Sequence, residues 1–92
     1  MNVAAEIRQR LAALDPVEVD LADESELHRG HAGYQAGGNT HWRLSIVSPR
    51  FAGQPIVARH RMVYQALGNL MQHPIHALAI TARSPEETKG SK

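Results

Sequence analysis

Apolar positions recur at helical spacing at the start of the chain. Between Asn2 and Pro16 they lie three or four residues apart, as on one buried face of a helix: Val3, Ile7, Leu11 and Leu14. Asn2 stands where an N-cap is needed, and Pro16 ends the pattern. The spacing predicts a first helix over residues 2–14.

Two later segments alternate apolar and polar residues with a period of two, which predicts half-buried strands. In the first, residues 17–22, Glu18 and Asp20 separate the apolar residues Val17, Val19 and Leu21. In the second, residues 40–48, one set is expected to face the core: Trp42, Leu44 and Ile46. The other set is expected to face away from it: His41, Arg43 and Ser45.

The second half of the chain predicts a long helix and a third strand. Helical spacing runs through residues 55–72, with Pro55 in the first turn, a break near Gly68 and a stop at Pro74. The short apolar run at residues 76–82 predicts a strand. After it, the sequence SPEE is typical of a capping box that begins a last short helix: Ser84 as N-cap, Pro85 at N1 and Glu87 at N3.

The predicted order of elements is α-β-β-α-β, followed by the short helix. A long helix between the second and third strands implies a right-handed crossover that makes those strands parallel, whereas the first two strands form a hairpin. We therefore predict an α+β fold, with one α-β-β-α-β-(α) domain over residues 1–88. Its three-stranded mixed sheet carries the helices on one face. We expect residues 89–92 to form a disordered tail.

Charge is segregated along the chain, although the formal net charge is only +1. Most acidic residues lie before Leu27, and none lies between Leu27 and Pro85. The arginines of that acid-free stretch either present a positive surface to nucleic acid or an acidic partner, or pair with the N-terminal carboxylates. They are Arg29, Arg43, Arg50, Arg59, Arg61 and Arg83.

The chain contains no cysteine, so it cannot by itself form a disulfide, a thiol nucleophile or a thiolate metal site. The N-terminal residues do not resemble a signal peptide, and no apolar run approaches the roughly 20 residues that cross a bilayer. We expect a cytoplasmic protein without membrane contact. Because no P-loop and no carboxylate pair accompany the histidines, we also expect it not to be an enzyme.

The segment between the first two predicted strands, residues 23–39, is rich in histidine and glycine. It contains His28, His31 and four glycines, which let the backbone adapt to a ligand or partner. Imidazole is a common metal ligand. From these residues alone, the segment is either a metal-ligand arm or a flexible connection with incidental histidines.

Several stretches of the chain resemble the BolA family in order and spacing, and together they cover residues 1–88. The pattern F-x-G-x-x-x-V-x-R-H-R begins at Phe51 and the stretch I-H-A-L begins at Ile75; the two are specific in combination. The remaining stretches are DES (23–25), GHAG (30–33) and THWRLSIVS (40–48).

The resemblance implies a fold similar to type II KH domains and a non-catalytic role with two aspects. One is binding to a monothiol glutaredoxin with which a [2Fe–2S] cluster is shared, in iron–sulfur trafficking and iron homeostasis. The other is DNA binding and transcriptional regulation linked to stress, cell shape and biofilm. We expect the free protein to be a monomer or a weak homodimer.

The resemblance also implies the cluster ligands. The ligand histidine of I-H-A-L falls on His76, and a second ligand comes from the loop between the first two strands. Matching G-H-A selects His31, whereas counting from D-E-S selects His28; His41 is a lesser candidate. Imidazole can replace thiolate on one iron of such a cluster. This chain would therefore complete a cluster held by a partner's thiolates and bind none alone.

For the DNA-binding alternative, the predicted phosphate contacts are Arg59 and Arg61 on the long helix and Arg50 before it. Successive helical residues fan out by about 100°, so residues 59–61 cannot all face one ligand. The competing interpretation pairs Arg59 and Arg61 with carboxylates and packs His60 against the sheet. A KH-type RNA site is not expected, because no G-x-x-G loop joins two helices.

Overall fold

The computed structural model describes residues 2–25 and 38–89, and within them the predicted order of elements is confirmed. The helices and strands are α1 (Val3–Leu11), β1 (Glu18–Asp23), β2 (His41–Val47), α2 (Ile56–Leu67), β3 (Ala77–Arg83) and α3 (Pro85–Lys89). Short 3₁₀ turns follow α1, precede α2 and follow α2: Ala12–Leu14, Pro49–Phe51 and Gly68–Met71.

The three strands form one mixed sheet in the order β1-β2-β3. β1 pairs with β2 in antiparallel fashion, with Leu21 opposite Leu44. β2 pairs with β3 in parallel, with Leu44 opposite Ile80. The predicted hairpin and parallel crossover are both confirmed. Because β2 and β3 are parallel, the residues at which they begin lie side by side at one end of the sheet.

α1 begins and ends where the sequence predicts. The side chain of Asn2 accepts a hydrogen bond from the Ala5 N–H at 3.0 Å, which caps the first turn. The helix continues into its 3₁₀ turn, and Asp15, at a φ of 50°, reverses the chain before Pro16. The buried residues of this segment are those of the apolar stripe: Val3, Ile7, Leu11 and Leu14.

α2 stops at Gly68, whose φ of 56° is left-handed and suits glycine. The Arg10 guanidinium of α1 donates to the Leu67 carbonyl and to the side-chain oxygen of Asn69, both at 2.8 Å. These bonds join α1 to the end of α2. The chain then turns through a cis His73–Pro74 peptide bond before β3.

The core lies between the helices and the apolar face of the sheet. Phe51 is fully buried there, and Trp42, which was predicted to face the core, is 5% exposed. Their buried neighbours come from α1, β2, α2 and the segment between α2 and β3: Ile7, Leu11, Leu44, Ile46, Val63, Leu67, Leu70 and Ile75.

The predicted capping box of α3 is confirmed. The Ser84 N–H donates to Glu87 Oε1 at 2.9 Å, and the Glu87 N–H donates to Ser84 Oγ at 3.4 Å. α3 extends to Lys89, so the predicted tail loses its first residue to this helix, and residues 90–92 lie outside the described residues. No helix within residues 2–25 and 38–89 is long and apolar enough to span a membrane.

Candidate functional site

His76 stands at the end of the sheet where β2 and β3 begin. Its N–H donates to the Thr40 carbonyl at 2.7 Å, and the Ala77 N–H donates to the same oxygen at 3.0 Å. The backbone of His76 is thereby held to the residue that precedes β2. The residue itself is exposed, so its imidazole is presented outward from a fixed backbone position.

His41 lies beside His76, with 5.4 Å between the ring centroids and 50° between the ring planes. The alternation along β2 places His41 on the face opposite to Trp42, yet His41 is only 5% exposed and is therefore buried although it is not part of the apolar core. Its Nδ1 lies 2.9 Å from the Thr40 hydroxyl.

The start and end of the hairpin loop are joined by hydrogen bonds around Ser25, which is 1% exposed. Ser25 Oγ donates to Asp23 Oδ1 at 2.5 Å and accepts from the Thr40 N–H at 3.0 Å and the His41 N–H at 3.2 Å. The other carboxylate oxygen of Asp23 accepts from the Asn39 N–H at 3.0 Å. The two ends of the loop therefore meet next to His41.

Asp23 is held as a carboxylate by these contacts. Partial burial works to raise its pKa, but hydrogen bonds from the Ser25 side chain, the Ser25 N–H and the Asn39 N–H, together with the charge of His41, lower the pKa overall. Gly38 is packed against this carboxylate. A Cβ there would lie 2.9 Å from Asp23 Oδ2, and its φ is +84°, so this position suits glycine alone.

The predicted ligands His28 and His31 lie outside the described residues. The described residues on either side of this segment are Ser25 and Gly38. In the described ranges no three His, Cys, Asp or Glu side chains are grouped so that they could hold a metal ion. His76 supplies an exposed imidazole, a donor that suits iron, whereas His41 is buried. His76 fits a shared cluster in donor type, and the remaining ligands would have to come from residues 26–37 and from another chain.

Arg59, predicted as a phosphate contact, is buried and fully engaged. It is 5% exposed. Its guanidinium donates to the carbonyls of Gln54 and Ala82 at 2.8 and 3.0 Å, and forms a two-point contact with Glu87 at 2.6 and 2.9 Å. The geometry thus agrees with the competing salt-bridge interpretation and argues against a phosphate contact by Arg59.

This ion pair also sets the charge state of Glu87. Hydrogen bonding from the Arg59 guanidinium, then from the Ser84 N–H, lowers the pKa of Glu87 to about 2. Because the carboxylate is anchored at both oxygens, α3 is fastened to α2 and to the end of β3. The contact joins residues that are 28 positions apart in sequence.

The other predicted phosphate contacts lie at the surface. Arg50 pairs with Asp15 at 2.6 Å, and both side chains are more than half exposed. Arg43 pairs with Glu24 at 3.0 Å, so part of the acid-free stretch folds back on the acidic N-terminal segment, as one of the two interpretations predicts. Arg61 is exposed and has no ion pair within the described residues. His60, half-buried, lines a cavity with Ile80, which agrees with packing near the sheet.

The role of the Ser25 hydroxyl in joining the two ends of the hairpin loop was not predicted from the sequence. A signal was present, since Asp23 accepts from the Ser25 N–H at 2.9 Å in an Asx turn, and Asp-x-Ser is a pattern from which such a turn is expected. The pairing with Thr40 spans 15 residues and has no local signature.

The fold and this site define a class of small α+β domain. In this class a helix connects two parallel strands, and an exposed histidine stands just before the second of them, beside the joined ends of the hairpin loop. A family model described as BolA-like protein matches residues 11–87. The chain belongs to the BolA-like family.

Individual relatives agree with this assignment. The chain is 44% identical over 86 residues to BolA-like protein 1 of Mus musculus, covering 92% of this chain and 60% of the mouse protein. It is 34% identical over 91 residues to the DNA-binding transcriptional regulator BolA of Escherichia coli (strain K12), covering 98% and 83%. The solved BolA domain of SufE1 from Arabidopsis thaliana matches with a TM-score of 0.81 at 40% identity, covering 95% and 96%.

The chain spans only 23% to 62% of the length of the first four curated relatives that it matches. Some relatives carry organelle names, such as the chloroplastic/mitochondrial SufE-like protein 1 of Arabidopsis thaliana. The family therefore includes organellar members, and the expected cytoplasmic location of this chain stays a prediction.

Proposed function

We propose that this chain is a non-catalytic adaptor that binds a monothiol glutaredoxin and contributes imidazole ligands to a [2Fe–2S] cluster shared with it. His76 would supply one ligand, and His31, or alternatively His28, would supply the other. The partner's thiolates would hold the second iron. When bound, the cluster would supply an iron–sulfur unit for transfer or for sensing iron supply.

The observation that carries this proposal is the placement of His76. Its imidazole is exposed while its backbone is fastened to Thr40, and the anchored ends of the His- and Gly-rich segment lie beside it. In a chain without cysteine, such imidazoles can ligate a cluster only as partners of another chain's thiolates. Membership of the BolA-like family is consistent with this role.

Co-purification tests the proposal. We expect the tagged chain, isolated anaerobically from its cells, to carry a monothiol glutaredoxin together with iron and acid-labile sulfide in equal amounts. The chain purified alone from a host without that glutaredoxin should carry no iron. Recovery of the glutaredoxin without iron, or of iron on the isolated chain, would contradict the shared site.

A second function is supported by the name of one relative, the Escherichia coli DNA-binding regulator, and by the exposed Arg61 on α2. If the chain binds DNA, Arg61 and Arg50 contact phosphates, and Arg59 has only the structural role of joining α2 to α3. We expect the logarithm of the DNA association constant to fall linearly with the logarithm of salt concentration, by about 0.9 per phosphate neutralised.

Replacing Arg61 with alanine should lessen that salt slope by about one, whereas Arg8→Ala, on α1, serves as the control and should leave it unchanged. Fluorescence anisotropy of a labelled duplex at several salt concentrations makes the measurement. Equal slopes for the wild type and both variants would remove the proposed phosphate contact of Arg61.

A further inference from the structure

We propose that four side chains act as positioning residues for the His76 ligand of the shared cluster: Asp23, Ser25, Thr40 and His41, here called the Ser25 network. This inference rests on the proposed function. It assigns to these residues the task of holding the His76 imidazole in a fixed relation to Ser25 and Asn39, without contact to iron by the network itself.

The hydroxyl groups connect the members of the network. A hydroxyl has one proton to donate and two lone pairs that accept. Ser25 Oγ gives its proton to Asp23 and accepts the N–H groups of Thr40 and His41. The Thr40 hydroxyl lies between Ser25 Oγ, to which it donates at 3.3 Å, and His41 Nδ1, at 2.9 Å. The His41 ring is thereby held by a hydrogen bond between its Nδ1 and Thr40.

Thr40 connects the two histidines. Its hydroxyl contacts the ring of His41, while its carbonyl accepts the N–H groups of His76 and Ala77. The His41 ring in turn lies against the His76 ring, at 5.4 Å between centroids. A change in the Thr40 side chain therefore reaches the His76 imidazole through the ring contact, while the carbonyl and its backbone bonds remain.

Asp23 connects the same network to the loop. One carboxylate oxygen accepts the Ser25 N–H and hydroxyl, and the other accepts the Asn39 N–H. The carboxylate thus joins the residues on either side of the segment that contains His28 and His31. Outer-shell hydrogen bonds that orient metal ligands typically change metal affinity by 10- to 100-fold when removed.

The test compares Thr40→Val with Thr40→Ser, each in complex with a cluster-loaded monothiol glutaredoxin. Valine matches threonine in shape but lacks the hydroxyl, and serine keeps it. For Thr40→Val we expect roughly a 10-fold loss of affinity for the loaded partner, together with shifted g-values in the electron paramagnetic resonance spectrum of the reduced cluster. Thr40→Ser should restore wild-type values for both.

A second measurement compares the same variants in the chain without its partner. The ¹⁵N shifts of the His41 ring, which report the hydrogen bond between Nδ1 and Thr40, should be the same in the wild type and in Thr40→Ser and should change in Thr40→Val. If Thr40→Val fails to fold, Asp23→Asn, at an exposed position, is expected to produce the same change in g-values.

Wild-type g-values and affinity in folded Thr40→Val or Asp23→Asn would overturn the positioning role, as would a Thr40→Ser variant as impaired as Thr40→Val. The proposed function is tested separately by His76→Ala. If that substitution weakens the complex while the network variants do not, the proposed function stands and the Ser25 network has only a structural role.

Discussion

Replacing His76 with alanine is expected to remove the visible circular dichroism signal that the chain induces when it is mixed with a cluster-loaded monothiol glutaredoxin. The loss follows because His76 presents its imidazole from a backbone held by Thr40, and because no cysteine of this chain can replace it. We expect the affinity for the loaded partner to fall by at least 10-fold, in line with the loss of a direct ligand.

The matched control is His73→Ala. His73 has the same side chain, is also exposed and lies three residues earlier, but it belongs to the turn that leads into β3 and not to the residues beside Thr40. Its substitution should leave the signal intact. If the two variants give the same spectrum as the wild type, His76 is not a ligand.

Replacing Arg59 with alanine is expected to lower the free energy of unfolding by roughly 3 kcal/mol. The buried guanidinium donates to the carbonyls of Gln54 and Ala82 and to both oxygens of Glu87. Its removal takes this donor from both carbonyls and leaves the Glu87 carboxylate, among the described residues, with the Ser84 N–H alone. Arg61→Ala, two residues later at an exposed position, should change stability by no more than about 0.5 kcal/mol. Chemical denaturation of both variants makes the comparison, and equal effects would contradict a structural role for Arg59.

The same ion pair predicts a pH dependence. The pKa of Glu87 is lowered from 4.5 to about 2 in the folded chain. Its contribution to the free energy of unfolding is therefore fully present above the unfolded pKa and is lost as the pH falls from 4.5 towards 2. The stability difference between the wild type and Glu87→Gln should therefore shrink across that window. If the difference in unfolding free energy between these two proteins is constant from pH 6 to pH 2, the ion pair does not lower the pKa of Glu87.

The elements of this fold could be predicted from the sequence because their signals are local. The α1 stripe, the alternation in β1, the break at Gly68 and the capping box at Ser84 each depend on residues within a few positions of one another. The parallel pairing of β2 and β3 followed from the length of the helix between them. All of these predictions were confirmed by the structure.

The side-chain environment of the candidate site could be predicted only in part. His41 was assigned to the polar face by alternation, which gave no sign of its burial, and its N–H is bonded to Ser25, 16 residues earlier in the sequence. Arg59 was left between two interpretations because its partner Glu87 lies on a different helix. The choice between His31 and His28 remains a prediction, since both lie outside the described residues.

The central claim is that imidazole nitrogen of this chain is bonded to cluster iron in the complex. Electron–nuclear double resonance tests it most directly, with ¹⁵N-histidine in this chain, an unlabelled glutaredoxin and the cluster reduced. The account predicts strong ¹⁵N hyperfine couplings, of the size that directly bonded nitrogen produces. A loaded complex that shows no strong ¹⁵N coupling would contradict it.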